Sequence, residues 1–401
     1  VGLASRIESQ SNICSMVVGA YPGNDEGPAS LYVNDPWNDG DGDGLGKALE
    51  KALGTCDPYN FVYSGFFQFT IEPSYCANVF NLKDSDHDGL DDMAEVFGID
   101  GWPAQHLPRW GASPLHKDAF IEVDFTDQWA GDNPYATGLI NVEAFAKKAQ
   151  GLYDAGAAQD LRNPDGLDGL RLHLDMGVDP TDEDLLTLYG DWKGSSVVAL
   201  NGQSAASVRD NAAKTEMKKI RQGVFRYSIA ASGGGGQANG SAFVFGGGSA
   251  RHAFAHELGH TLRLAHHGQS VWGKANCKPM YRSLMNYSYG GNNNPIGFSQ
   301  GDYAETVVTP ASLYESSAFD GVEASYLAGA PWNMMVEGND DVDWNLDAEI
   351  APSNTKVRGL VNWARWDGCG SFVKNQEPLE KADNTDWANP TTPDLTRAFY
   401  N

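Results

Sequence analysis

The sequence predicts an α/β (α+β) chain, with a mixed, twisted sheet layered by helices, a small acidic region in front and an irregular lobe behind. Three observations lead to this reading. Between residues 118 and 246, compact β-branched and aromatic runs alternate with segments of helical apolar spacing. Two aspartate-rich loops precede that alternation, and five of the nine histidines follow it, between residues 252 and 267. The expected division is an N-terminal calcium-binding region at 1–100, an upper lobe at 101–268 and a lower lobe at 269–401.

A chain of 401 residues is long enough to bury a large core. Its net charge of -25 repels a polyanion, which excludes nucleic acid as a partner and suits solubility and the collection of cations. No run approaches the roughly 18 apolar residues of a membrane span. The chain starts at Val1 with no charged-then-apolar leader, which reads as a processed product whose export signal is gone. Five cysteines fit no C-x-x-C metal spacing and read as one or two disulfides with a thiol left over, the pattern of a secreted protein. Cys56 with Cys76 and Cys277 with Cys369 are the expected pairs, Cys14 being the odd one. A monomer is expected.

The acidic loops read "DGDGDGLGKALE" (39–50) and "DSDHDGLDDMAE" (84–95). In such a spacing, carboxylates at positions 1, 3 and 5 converge because a glycine at position 6 turns the chain, position 7 offers its carbonyl and a glutamate at 12 closes the shell. One Ca2+ site would comprise Asp39, Asp41, Asp43, the Leu45 carbonyl and Glu50; the other Asp84, Asp86, Asp88, the Leu90 carbonyl and Glu95. Asp92 stands at position 9 of the second loop, where it ligates directly or through water; Lys47 in the first makes that site the weaker. An aspartate turn leading into a helix is the plainer explanation, but two matches within a hundred residues favour calcium. Both loops resemble EF-hand and thrombospondin type 3 calcium repeats, which implies structural sites. A further stretch with Asp343, Asn345 and Asp347 has Ala348 where the turning glycine belongs, and is a weaker candidate.

The α/β elements follow in order. "DAFIEVDF" (118–125) reads as a strand, 140–155 as a helix, "GLRLHLDMG" (169–177) as a strand, 206–222 as a helix with a solvated Lys/Arg face, "GVFRYSIAA" (223–231) as a strand and "GSAFVFGG" (240–247) as the last one. The glycine tracts at 233–236 and 246–248 read as flexible loops around it. His173 reads as a satisfied histidine within its strand, and His87, His106 and His116 carry no functional pattern.

In "AHELGHTLRLAHHG" (255–268), His256 and His260 are four apart and share one face of a helix. Phe254, Leu258 and Leu262 form an apolar stripe on another face, so the helix can bury one side and offer imidazoles to a cleft. Glu257 is placed to reach a metal-bound water without ligating the metal, and H-E-x-x-H in this arrangement is a zinc-site signature. A catalytic zinc takes a third protein ligand. His266 and His267 would lie about 9–10 Å beyond His260 on a continuing helix, so the chain must turn back soon after Leu262. Geometry leaves both histidines open, and Glu305 or Glu315 as well.

This segment resembles the metzincin zinc endopeptidases, whose pattern H-E-x-x-H-x-x-G-x-x-H places the third ligand at His266. The family's helix ends on a glycine of positive φ; here Arg263 stands in that place. The family's methionine turn is matched by "YRSLMNYSY" (281–289), with Met285 as the buried methionine under the metal and Tyr287 as the tyrosine beside it. The resemblance spans residues 256–287. It implies a metzincin-like upper lobe and a secreted enzyme that cuts protein or peptide substrates, with Zn2+ on His256, His260 and His266. It also implies Glu257 as general base and Tyr287 as a donor to the developing oxyanion. "SAFVFG" (241–246) would be the edge strand along which an extended peptide pairs. The competing readings are a calcium-dependent binding or adhesion module with a degenerate zinc site, and a latent form with Cys14 on the zinc.

Overall fold

The structure, a computed structural model, describes residues 39–57, 83–98, 106–129, 133–154, 163–215, 224–233, 235–246, 250–266 and 283–285, with short separate pieces elsewhere. In chain order the strands are β1 (Leu3–Ser5), β2 (Met16–Val18), β3 (Leu31–Val33), β4 (Phe61–Gly65), β5 (Gln68–Ile71), β6 (Asp118–Thr126), β7 (Arg171–Asp175), β8 (Tyr189–Gly190), β9 (Val197–Val198), β10 (Phe225–Ala231), β11 (Gly236–Asn239), β12 (Ala242–Gly246), β13 (Leu313–Tyr314) and β14 (Lys356–Val357). The α-helices are α1 (Lys47–Leu53), α2 (Asp92–Phe97), α3 (Leu107–Trp110), α4 (Val142–Gln150), α5 (Ala205–Thr215) and α6 (Ala250–Thr261).

Seven strands form the central sheet in the order β11-β12-β10-β6-β7-β8, with β9 also pairing β6. Every pairing in it is parallel except β11 with β12. A parallel sheet needs cover on both faces, and the sequence of β6 supplies it: all nine residues are buried. Ala119, Ile121, Val123 and Phe125 face one way, into a core shared with Phe145 of α4 and with Phe254 and Leu258 of α6. Phe120 faces the other way, against Trp110, Trp192 and Phe225, where Leu90 and Ala94 of the second acidic loop join the same cluster. On that side Ala205 and Val208 of α5 pack on Tyr227, Ile229, Ala242 and Val244.

The elements begin and end where local chemistry dictates. Helix α4 is shorter than its apolar spacing suggested because Asn141 caps it, accepting a hydrogen bond from the Ala144 N–H, and the chain leaves the helix at Gly151. Helix α5 runs to Thr215, and residues 216–222 of the expected helix lie outside the described residues. One member of its basic set departs from the solvated reading: Arg209 is 2% exposed, and its Nη1 donates to the Gln237 carbonyl of β11 at 2.5 Å.

The glycine tract before β12 also differs from expectation. Gly236–Asn239 turns back and pairs antiparallel with β12, so 241–246 lies between β11 and β10 and β11 is the sheet edge. Close approach explains that glycine better than flexibility does: a Cβ on Gly236 would sit 2.4 Å from Cγ of Glu257. Cys56 and Cys76 are joined as expected, whereas Cys14, Cys277 and Cys369 lie outside the described residues.

Helix α6 follows β12 and rests on the sheet through the apolar stripe read from the sequence, with Phe254, Leu258 and Leu262 all fully buried. The Phe254 ring meets Phe145, Phe243 and Phe245 edge-on with centroids 5.2–5.4 Å apart. Tyr153, just past α4, donates its hydroxyl to the Ala255 carbonyl at 2.8 Å. Replacing Phe254 by Ala removes the centre of this aromatic group, and we expect a loss of about 3–5 kcal/mol of folding stability, measured by urea unfolding.

Candidate metal centre

Helix α6 presents His256 and His260 one turn apart, and the chain beyond it brings back His266. The Nε2 atoms of His256 and His266 are 3.1 Å apart, those of His256 and His260 3.1 Å, and those of His260 and His266 2.8 Å. Ligands on a tetrahedral zinc, with Zn–N distances of about 2.0–2.1 Å, stand roughly 3.3 Å from one another, so the triangle is close to the size such an ion requires. The protons are placed to match. His256 Nδ1 faces the Leu284 carbonyl at 2.9 Å, and His260 Nδ1 faces the Leu264 carbonyl at 2.8 Å. A carbonyl only accepts, so Nδ1–H donates and Nε2 is left with its lone pair turned to the common point. Burial lowers the pKa of His260, which favours the same neutral ring.

The turn that returns His266 is a Schellman cap. Leu264 N–H bonds the Gly259 carbonyl at 2.9 Å, Arg263 N–H bonds the His260 carbonyl at 2.9 Å, and Arg263 between them has φ of 68°. The reversal expected after Leu262 is thus present, with a non-glycine residue in the left-handed conformation. Met285 is fully buried beneath the helix, and a Cβ on Gly259 would come within 2.6 Å of its sulfur. The glycine between the two helical histidines therefore lets the methionine approach, while its neighbour Leu284 orients His256. Tyr287, His267, Glu305 and Glu315 lie outside the described residues, as do Asp343, Asn345 and Asp347.

A cleft of about 650 Å3 opens over the triad, lined by Gly236, Gln237, Ala238 and Gly240 with Glu257, His260 and His266. Glu257 is buried, and that burial pushes its carboxyl up to about 7, against the downward pull of the Ala238 N–H and the Arg209 charge. A carboxylate that is protonated near neutrality and is aimed into a cleft can exchange a proton there.

The acidic loops have the predicted convergence. Asp39 accepts from Gly42 and Gly44 N–H, Asp41 from Asp43 N–H and Asp43 from Leu45 N–H, at 2.6–3.1 Å, and these bonds draw the three carboxylates together. Asp84, Asp86 and Asp88 repeat the pattern with His87, Asp88, Gly89 and Leu90 N–H. The closing glutamates are buried; both oxygens of Glu95 have no hydrogen-bond partner, and Glu50 meets the Asp57 carboxyl. Burial, then the neighbouring carboxylates, push Glu50 up to about 10 and Asp43 to about 7; burial leads for Asp41 too, at about 6. Burial first, with repulsion from neighbouring carboxylates, raises Asp84, Asp86, Asp88 and Glu95 well above the usual range. Oxygen donors of one sign, buried and partly unbonded, fit a hard divalent cation such as Ca2+.

One expected ligand is placed differently. Asp92 turns both oxygens to Ser85, accepting from its N–H at 2.8 Å and its hydroxyl at 2.6 Å, and it braces the loop from outside the cluster. The physical reason is local: Ser85 Oγ itself accepts the Cys56 N–H at 2.9 Å, so Asp92 completes a chain that joins the second acidic loop to the backbone just past α1. Sequence reasoning missed Asp118, which comes within 4.8 Å of Asp88 and Glu95. Nothing in the loop spacing points to a residue 23 positions beyond Glu95.

Comparison with known proteins gives no match: no family model, curated protein or solved structure resembles this chain at a significant level.

Arg263 lies at a position that glycine adopts without a Cβ penalty of about 1–2 kcal/mol. We expect Arg263→Gly to keep full metal content and to unfold at a temperature no lower than the parent, read by calorimetry. The raised carboxylates set a second expectation. Unfolded, they titrate near pH 4; folded without a cation, Asp41, Asp43 and Glu50 keep protons to about 6, 7 and 10. The folded state binds more protons over that interval, so this contribution is complete below about pH 4 and is lost as pH rises through the folded values. The melting temperature of EGTA-treated protein should fall from pH 5 to pH 8, and saturating Ca2+ should flatten that slope. A slope indifferent to Ca2+ would contradict the assignment.

Proposed function

We propose that this protein is a secreted, monomeric zinc endopeptidase of metzincin type that hydrolyses peptide bonds of protein substrates and is stabilised by calcium. The observation that carries this reading is the triangle of imidazole nitrogens on His256, His260 and His266, each within 3.1 Å of the others and set beside Glu257 in an open cleft. A zinc ion held there would polarise the scissile carbonyl and acidify a water molecule toward neutrality. Glu257 would accept a proton from that water and return it to the leaving amine, a role that suits a carboxyl pushed up to about 7. Strand β11 lines the cleft and, among the described residues, pairs with β12 alone, so its outer side could offer main-chain groups to an extended peptide next to the Ala238 N–H that Glu257 holds. Tyr287 is assigned the donor role toward the oxyanion by resemblance. The Cys56–Cys76 bond supports an oxidising compartment, and no helix among the described residues is long and apolar enough to cross a membrane.

The test is metal analysis and casein or gelatin cleavage on a set of variants. The parent should bind one zinc per chain in the triad. His266→Ala should lose both metal and activity, and His267→Ala should keep both. Glu257→Gln should keep zinc while losing roughly 100-fold or more in rate. A requirement for His267 in place of His266 would refute the ligand set. A zinc-loaded protein that cleaves nothing would favour the calcium-dependent binding module.

A further inference from the structure

We infer that the second calcium centre is completed from outside its own loop, by Asp118 at the start of β6, so that the bound cation fastens the acidic loop to the central sheet. This rests on the calcium reading of residues 84–95 and is independent of the zinc.

The loop alone leaves a gap. In a twelve-residue calcium loop, position 9 supplies or relays a ligand, and here Asp92 at that position has turned both oxygens to Ser85. Asp118 brings a carboxylate oxygen to the same region, within 4.8 Å of oxygens of Asp88 and Glu95. Glu95 is an independent sign of a missing ligand: it is 1% exposed, and neither of its oxygens has a hydrogen-bond partner. Asp86 Oδ2 is likewise buried and unbonded. Asp84, Asp86, Asp88, Glu95 and Asp118 thus gather five buried carboxylates, and the Lys117 ammonium nearby is directed to the Asp86 carbonyl. With its protons lost, such a set calls for a cation of high charge, and an all-oxygen shell of this size suits Ca2+ better than the smaller, octahedral Mg2+.

Asp118 is built for the task. His173 Nε2 on β7 lies 2.8 Å from its Oδ1, and the Ser113 N–H bonds its Oδ2 at 2.8 Å, which fixes the carboxylate plane. Its own N–H bonds Asp88 Oδ2 at 2.8 Å, so backbone and side chain of one sheet residue both engage the loop. His173 is anchored in turn by its Nδ1, 2.6 Å from the Thr187 carbonyl, and by stacking on Phe120 at 4.3 Å. A cation at this centre therefore bears on two central strands as well as on its loop.

The experiment is calcium titration of the EGTA-stripped full chain by calorimetry, comparing the parent with Asp118→Asn and Asp43→Asn, together with hydrogen exchange of the parent with and without Ca2+. We expect two sites in the parent. Asp118→Asn should weaken one of them by roughly tenfold or more and leave the other, while Asp43→Asn should do the converse. Ca2+ should slow exchange of the amides of residues 118–126 in the parent, a readout that does not depend on whether the variant folds. Two sites of parental affinity in Asp118→Asn, or exchange in 118–126 unchanged by Ca2+, would overturn the role of Asp118. Absence of calcium binding to the parent would overturn the loop reading with it, and neither result bears on zinc.

Discussion

Three imidazole lone pairs cannot be held within about 3 Å of one another unless the chain that carries them reverses, because a continuing helix would take the third about 9 Å away. In this protein the reversal is concentrated in one residue, Arg263, whose positive φ closes two cap hydrogen bonds and returns His266 over His260. The same cap orients an imidazole, since the Leu264 carbonyl that follows the turn receives His260 Nδ1. Helix ending and imidazole alignment are thus one event, and His256 is aligned separately by the Leu284 carbonyl.

The sheet beneath turns this local geometry into a cleft. Burial of β6 on both faces lets α4 and α6 occupy one side while α5 and the second acidic loop occupy the other. Helix α6 is held by its apolar stripe, which leaves its polar face to the opening beside β11. Arg209 reaches across from α5 to hold the Gln237 carbonyl, so the edge strand is secured from the side away from the triad.

Much of this was legible in the sequence where a feature is local and periodic. The histidine spacing, the apolar stripe of 254, 258 and 262, the loop carboxylates and the strand at 118–125 all depend on residues within a dozen positions of one another. What escaped depends on distant contacts. Gly236 looks like flexible linker until the Glu257 side chain is seen against it, and Arg209 looks solvated until the Gln237 carbonyl is found above it. Asp118 looks like the polar start of a strand until His173 and the Ser113 N–H are found on its carboxylate, and Asp92 looks like a ligand until Ser85 is found on both of its oxygens.

The contact between Gly236 and Glu257 has a bearing on how such a site could diversify. A single methyl at residue 236 would meet Cγ of the glutamate at 2.4 Å, so the rim of the groove and its buried carboxyl are mechanically one part. Gly240 has nothing within 4 Å of the place where a side chain would begin among the described residues, but its φ of 61° is one that only glycine adopts without strain. Both ends of the rim therefore resist a side chain for different reasons, the near end because the glutamate fills the space and the far end because its backbone is left-handed, so the shape of the groove is held by two glycines that cannot readily be exchanged.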